Sequence, residues 1–256
     1  MPLDPTARFT DRVDNYVRYR PTYPPQLISE LVTRAQLSPA RSIIADIGSG
    51  TGILTGHLLP HAARVHAVEP NAAMRVAAER TLGANPRFAS IDATAESTTL
   101  PPRSIDLVTA GQSFHWFNHA GARREFTRIL KPGGFVALVW NERQTSGTPF
   151  LEDYEATLRH LAPDYARSRH ALVNESIIAE FFAPDKYQLV EFLKTQSLDL
   201  EAFIGRSLSS SYAPNKNHPN HTQFIAALRS IFEGNAQNER VEMHYQSRMY
   251  FGRLTC

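Results

Sequence analysis

The feature that most constrains this chain is the stretch at residues 43–52, IIADIGSGTG. A short apolar run meets an acid there and is followed by glycine at every second position, Gly48, Gly50 and Gly52. Ile43, Ile44 and Ala45 suit a buried strand. Glycine at that density cannot continue it, because the residue favours tight, positive-φ backbone and offers no side chain to pack. Ile53, Leu54, His57 and Leu58 then fall at helical spacing. The local structure is therefore strand, glycine loop, helix: a place where backbone approaches a nucleotide-like ligand closely, beside a helix N-terminus.

The following hundred residues repeat the theme. Apolar runs at 43–47, 65–68, 88–91, 105–110 and 135–140 are separated by helical stretches or short connections; Ala73, Met74, Ala77 and Ala78 form one stripe, Ala122, Phe126, Ile129 and Leu130 another. Such alternation gives a mostly parallel sheet covered by helices on both faces through right-handed crossovers. Lys131-Pro132-Gly133-Gly134 reads as a tight turn delivering the chain into the fifth strand. A further strand is expected near 187–193. Val241, Met243, Tyr245, Ser247, Met249 and Phe251 alternate with mostly polar residues, as in a half-buried strand that pairs antiparallel with it. The expected fold class is α/β: a doubly wound, seven-stranded, mostly parallel sheet with an antiparallel last strand and an inserted helical cap. A single domain, 1–256, is expected, with an N-terminal arm at 1–24, a cofactor-binding core at 41–140, a helical cap at 141–183 and C-terminal strands and helices at 184–256. Pro21, Pro24 and Pro25 break regular structure, so the arm is expected to run extended into a helix opened by Pro25.

Composition narrows the function classes. With 256 residues, 42% hydrophobic, the chain can bury a proper core. A net charge of +2 gives no basic stripe, so no nucleic-acid partner is expected. No apolar run approaches the about 18 residues of a spanning helix, the N-terminal segment lacks a signal-peptide core, and no membrane partner is expected. The one cysteine, Cys256, precludes an internal disulfide, which fits a cytoplasmic protein. Nothing in the sequence separates a monomer from a homodimer. The histidines are scattered without acidic or cysteine partners at ligand spacing, so no metal site is expected.

Two acids qualify the glycine loop. Asp46 ends the first strand, where it would repel a pyrophosphate and suits a ligand with a cationic or ammonium end. Glu69 closes the second strand, 21 residues after Gly48, where a carboxylate accepts both hydroxyls of a ribose. Phe114-His115-Trp116-Phe117 follows the fourth strand, at the sheet edge where open α/β sheets bind ligands.

These motifs, taken in order, carry a family resemblance. DIGSGTG, AVEPNAAM, DATAE at 92–96, IDLVTAGQSFHWF and ILKPGGFVALVW resemble class I S-adenosylmethionine-dependent methyltransferases with a Rossmann-like sheet. More narrowly, the chain is similar to the type 11 group and its trans-aconitate-methyltransferase-like relatives, which the YRPTYP arm and SLSSSYAP also resemble. The resemblance implies S-adenosyl-L-methionine as cofactor. It places Gly48, Ser49, Gly50 and Gly52 against the methionyl part, Asp46 near its amino group, Glu69 with Pro70 at the ribose, and Met74 on the adenine. Thr94 and Ala95, with Glu96 nearby, border the adenine edge; many relatives carry aspartate where Thr94 stands, which leaves the Ala95 amide to make that contact. Gln112 lines the sulfonium end, and Arg20 with Tyr19 or Tyr23 clamps the carboxylate through an arginine fork.

A methyl group on a sulfonium is already activated, so alignment is the main task and no catalytic triad is expected. The substrate is expected to be a small molecule, its acceptor atom open and a carboxylate oxygen suggested by the resemblance. Tyr23, His115, Trp116, Phe117, Trp140, Asn141 and Tyr212 are the substrate-side candidates. His115 is the one candidate general base, although a packed or positioning histidine is its plainer reading. Arg143 reads as a solvated arginine, and no cationic cluster compels an acidic substrate. The competing readings are an NAD(P)-dependent oxidoreductase and a non-catalytic protein that keeps the cofactor fold as an interaction module.

Overall fold

The computed structural model describes residues 12–162, 164–166 and 174–255. Residues 1–11 of the expected arm, and 163 and 167–173 of the expected cap, lie outside the described residues.

The apolar run before the glycine loop forms β1 (Ile43–Ile47). Around it the chain builds β2 (Arg64–Val68), β3 (Phe88–Ile91), β4 (Ile105–Gly111), β5 (Leu130–Arg143), β6 (Tyr187–Leu198) and β7 (Val241–Gly252). They form one seven-stranded sheet in the order β3-β2-β1-β4-β5-β7-β6. The first five strands pair in parallel, and β7 runs antiparallel between β5 and β6. The winding reverses between β1 and β4, which opens a crevice at their carboxyl ends, the usual ligand site of such sheets.

Period-two burial sorts the strand residues to two faces. Ile44, Leu107, Ala137 and Val139 face α2 (Pro25–Arg34) and α3 (Ile53–Leu58). Ala45, Val108, Val136 and Leu138 face α5 (His119–Ile129) and α7 (Glu175–Phe182). A third core gathers α6 (Pro149–Leu161), α8 (Leu200–Leu208), α9 (His221–Asn235) and the start of β7 around Tyr154, Phe203 and Phe224. The helices within 141–183 thus divide: α6 joins this C-terminal helical layer, and α7 packs on the sheet beside α5. No helix among the described residues is long and apolar enough to cross a membrane.

Two local expectations are corrected. The segment expected to run extended contains α1 (Val13–Tyr19), ended before Pro21. The Lys131–Gly134 turn does not precede the fifth strand but lies inside it: the pairing jumps from Ile105 with Leu130 to Leu107 with Phe135, so 131–134 loop out of the ladder, with Gly133 at φ +81°.

A seven-residue helix has little stability of its own, and α1 is fastened to the end of α8. Arg12 donates to the carbonyls of Ser210 and, at 2.9 Å, Ala213; Arg20 donates to that of Ser209 at 3.0 Å. The Tyr19 ring lies on Gly205, where an added Cβ would come within 2.2 Å of its Cδ2 and Cε2. YRPTYP and SLSSSYAP, far apart in sequence, meet here. Gly205→Ala should therefore unseat α1: hydrogen exchange across 13–19 speeds about tenfold or more while that of β1 and β4 stays unchanged. Unchanged exchange in α1 would contradict this docking.

Candidate active site

The glycine loop sits at the carboxyl end of β1, with Gly48, Gly50 and Gly52 at φ +63°, +57° and +83°. Each glycine has its own reason. An added Cβ on Gly48 would lie 2.6 Å from Ser113 Cβ, and one on Gly52 would lie 2.6 Å from Leu82 Cδ1. One on Gly50 would meet nothing within 4 Å, because Gly50 faces a cavity. The helix after the loop has only six residues, so the expected helix-terminus contribution gives way to loop backbone and two carboxylates.

Asp46 is 0% exposed. Its Oδ2 accepts from Thr55 Oγ1 at 2.6 Å and its Oδ1 from Thr109 Oγ1 at 2.8 Å. Burial pushes its pKa up to about 6, and the two hydroxyls oppose that shift. Glu69 accepts from the Gly50 amide at 2.9 Å and the Asn71 amide at 2.8 Å. Burial raises this carboxyl too, against the two amides. A carboxylate has about four lone-pair sites; two amides leave capacity for a pair of hydroxyls. Asn71 in turn caps α4 (Ala72–Leu82) by accepting from the Met74 amide at 3.0 Å.

These groups border a cavity of about 180 Å³ at the β1–β4 switch point. Of the residues expected at the cofactor, Arg20, Asp46, Gly48, Ser49, Gly50, Glu69, Pro70, Met74, Thr94, Ala95, Glu96 and Gln112 line it. Gly52 does not; it gives room to Leu82. Tyr19 does not either: its hydroxyl donates to Glu201 at 2.7 Å on the exposed side. Tyr16 takes the place expected of Tyr19, one helical turn before Arg20, whose guanidinium lies 4.8 Å from the Tyr16 ring centroid. Tyr23, Trp116 and Phe117, expected on the substrate side, also line this cavity. Sequence reasoning missed Ser113, whose hydroxyl donates to the Ile47 carbonyl at 2.8 Å and ties the segment after β4 to the end of β1.

The aromatic segment is set by Phe114, which stacks on His119 at 4.3 Å and meets Phe181 edge-on at 4.8 Å. That plug turns Trp116 and Phe117 toward the cavity. His115 is 5% exposed, with its ring tilted on Trp116 at 4.9 Å, and it lines neither this cavity nor the next.

A second cavity, about 620 Å³, adjoins the first, and Arg20 and Gln112 line both. Gln112 holds a left-handed φ of +57° and donates from Nε2 to the Asn141 carbonyl at 3.0 Å. Asn141 is fixed by donating to the Thr22 carbonyl at 3.1 Å and accepting from Ser247 at 2.6 Å. Trp140, Asn141 and Tyr212, expected for the substrate, line this cavity. The sequence offers no cationic cluster that compels an acidic substrate, but the fold gathers one at this cavity. Arg20, Arg143, Arg159, Arg206 and Arg248, from five separate stretches of chain, all face it. Nor is Arg143 solvated: it pairs with Glu155 at 2.5 Å and its guanidinium lies 4.9 Å from the Tyr154 ring centroid. Burial pushes the Tyr212 phenol up, but the charges of Arg206 and Arg143 outweigh it and bring the phenol below its usual value. Among the described residues, no group of three or more His, Cys, Asp or Glu is placed to hold a metal ion.

Comparison with known proteins agrees with this geometry. Residues 45–138 match the methyltransferase domain family. The chain is 38% identical over 228 residues to an uncharacterized methyltransferase of Mycobacterium bovis, covering 89% of this chain and 86% of that one. Among solved structures it is similar to a protein assigned as a type II methyltransferase from Anaeromyxobacter dehalogenans (TM-score 0.66, 23% identity, 93% and 100% of the two chains). It is also similar to the YcgJ protein of Bacillus subtilis (TM-score 0.57, 21% identity, 90% and 99%). The chain belongs to the methyltransferase family and is an S-adenosylmethionine-dependent methyltransferase. That assignment decides against the oxidoreductase reading.

The Asp46 shift has a testable sign. Its folded-state pKa of about 6 lies above the ordinary 3.8, so the folded state holds the proton more tightly and stability rises as pH falls between those values. The ionised group at pH 8 therefore costs about 3 kcal/mol. Asp46→Asn should stabilise the ligand-free protein by up to that amount at pH 8, with the gain vanishing near pH 4, in urea unfolding at both values. A gain independent of pH would contradict the assignment.

Proposed function

We propose that S-adenosylmethionine is held in the smaller cavity and that the methyl acceptor, a small molecule, is held in the larger, with a carboxylate oxygen as the methylated atom. The observation that carries this reading is that the two cavities join, with Arg20 and Gln112 on both walls. The residues present fit such a cofactor: the space a Gly50 side chain would fill is open, and Glu69 keeps acceptor capacity for a ribose diol. Asp46 offers a buried negative charge for an ammonium group, and Met74 with the Ala95 backbone borders the place of a base. When bound, the cofactor supplies an electrophilic methyl group on a sulfonium.

The chain's own work is then positioning. Gln112 is locked at the junction by its bond to Asn141, and its strained backbone, of a kind concentrated at functional sites, fixes where its amide points. Trp116 and Phe117 shield the smaller cavity and exclude water. Holding the reactants aligned is worth about 7–11 kcal/mol of barrier in well-oriented systems. Neither junction residue is a base at neutral pH, and His115 lines neither cavity, which favours a nucleophile that arrives already able to attack. A carboxylate oxygen meets that requirement. The trans-aconitate-methyltransferase-like resemblance of the sequence supports the same choice.

The test is a panel of carboxylic acids, amines, phenols and alcohols assayed by homocysteine release through a coupled hydrolase. Turnover is expected with carboxylic acids, giving base-labile methyl esters, and Gln112→Ala should lower kcat about tenfold or more while S-adenosylhomocysteine affinity stays within about threefold. Turnover confined to amines or alcohols would overturn the acceptor assignment.

A further inference from the structure

The larger cavity holds positive charge that no carboxylate among the described residues neutralises. Arg143 and Arg159 share Glu155 at 2.5 and 2.8 Å, and Arg248 pairs with Glu142 and Glu191 at 2.8 and 2.7 Å. Arg206 and Arg20 have no carboxylate partner among the described residues. Arg206 is only 4% exposed, and its bonds go to neutral hydroxyls, Tyr245 from Nε and Ser210 from Nη1, each at 3.0 Å. Arg20 donates to the Ser209 carbonyl at 3.0 Å, and its Nε is buried without a hydrogen-bond partner. Burial, and next the Arg206 charge, push the Arg20 guanidinium below its ordinary value, so the two cations repel across this wall. A buried guanidinium without a counter-charge is strongly unfavourable, and breaking its charge balance is a cost that an anionic ligand removes.

We propose that Arg206, with Arg20, is the recognition site for an anionic group on the acceptor, separate from the atom that is methylated. Arg206 lines the larger cavity alone, while Arg20 reaches the junction, so a group held on Arg206 sits away from the point of methyl transfer. The guanidinium fork matches a carboxylate or a phosphate. Trp140, Ile178 and Tyr250 supply apolar surface on the same cavity for the body of the molecule, whose volume is that of an ordinary small-molecule site. The acceptor class is thus a small molecule with an apolar or aromatic body and an anionic tail. This inference rests on the larger cavity being the acceptor site.

The experiment titrates the protein saturated with S-adenosylhomocysteine by calorimetry, at constant ionic strength, with phenylacetate, phenyl phosphate and neutral phenylacetamide. Binding of S-adenosylhomocysteine itself is measured first; its absence counts against the cofactor site and leaves the anion site to be titrated in the ligand-free protein. At least one anion should bind about tenfold or more tighter than the amide, and the preferred anion tells carboxylate from phosphate. Arg206→Met, still binding S-adenosylhomocysteine, should lose that preference. Should Arg206→Met not fold, Arg206→Lys, which keeps the charge and loses the fork, should bind the anion about tenfold more weakly. Anions binding no tighter than the amide, or unchanged anion affinity in the variant that folds, would overturn the proposal.

Discussion

The Glu69 carboxylate is where the site is tied together. One of its oxygens accepts from the Gly50 amide and the other from the Asn71 amide, so the loop after β1 and the start of α4 are fastened to the end of β2. Hydrogen bonds to an ionised acceptor are worth more than neutral ones, about 1.5–3 kcal/mol each, and these two fix backbone rather than side chains. The same short stretch sets the helix cap through Asn71, and Arg75 returns to the Glu69 carbonyl at 2.9 Å. Met74 is carried into place on that helix. An acid at the strand end thus shapes the cavity and keeps the acceptor capacity that a ribose needs.

Around this fixed point the molecule divides its labour. The parallel half of the sheet presents loop, acids and aromatic turn at one crevice, and the C-terminal helices build the second cavity beside it. The wall between belongs to neither alone. Arg20 follows α1, and the loop after α8 helps hold that helix by offering its carbonyls to Arg12 and Arg20 at either end. Burial opposes two charges here: Asp46 within the sheet, and Arg206 beneath the larger cavity, where the surrounding tyrosine hydroxyls offset it. In the proposed reading, ligands of the opposite charge complete both sites.

What the sequence made legible was local. Residues 43–52, Glu69 and the 105–117 segment are each contiguous and short, and the glycine, acid and aromatic requirements act at that range. The sheet followed from burial periods of two and helical stripes between them. The misreadings share a different cause. Three prolines made the arm look extended, although Tyr16 and Arg20 stand four apart, the spacing of one helix face; the docking that holds α1 in place comes from residues 205–213. Helical winding then puts Tyr16, not Tyr19, beside the cavity. The arginines of the larger cavity come from positions 20, 143, 159, 206 and 248, and no local pattern links them. Arg143 looked solvated because its partner, Glu155, lies in the next helix.

The central claim is that Glu69 joins the glycine loop to the ribose of the cofactor. Its most direct test is a calorimetric double-mutant cycle: wild type and Glu69→Gln, each titrated with S-adenosylhomocysteine and with its 2′-deoxy analogue. Removing the hydroxyl should weaken binding to wild type about tenfold or more and to Glu69→Gln by less than about threefold. An equal loss in both proteins would contradict it.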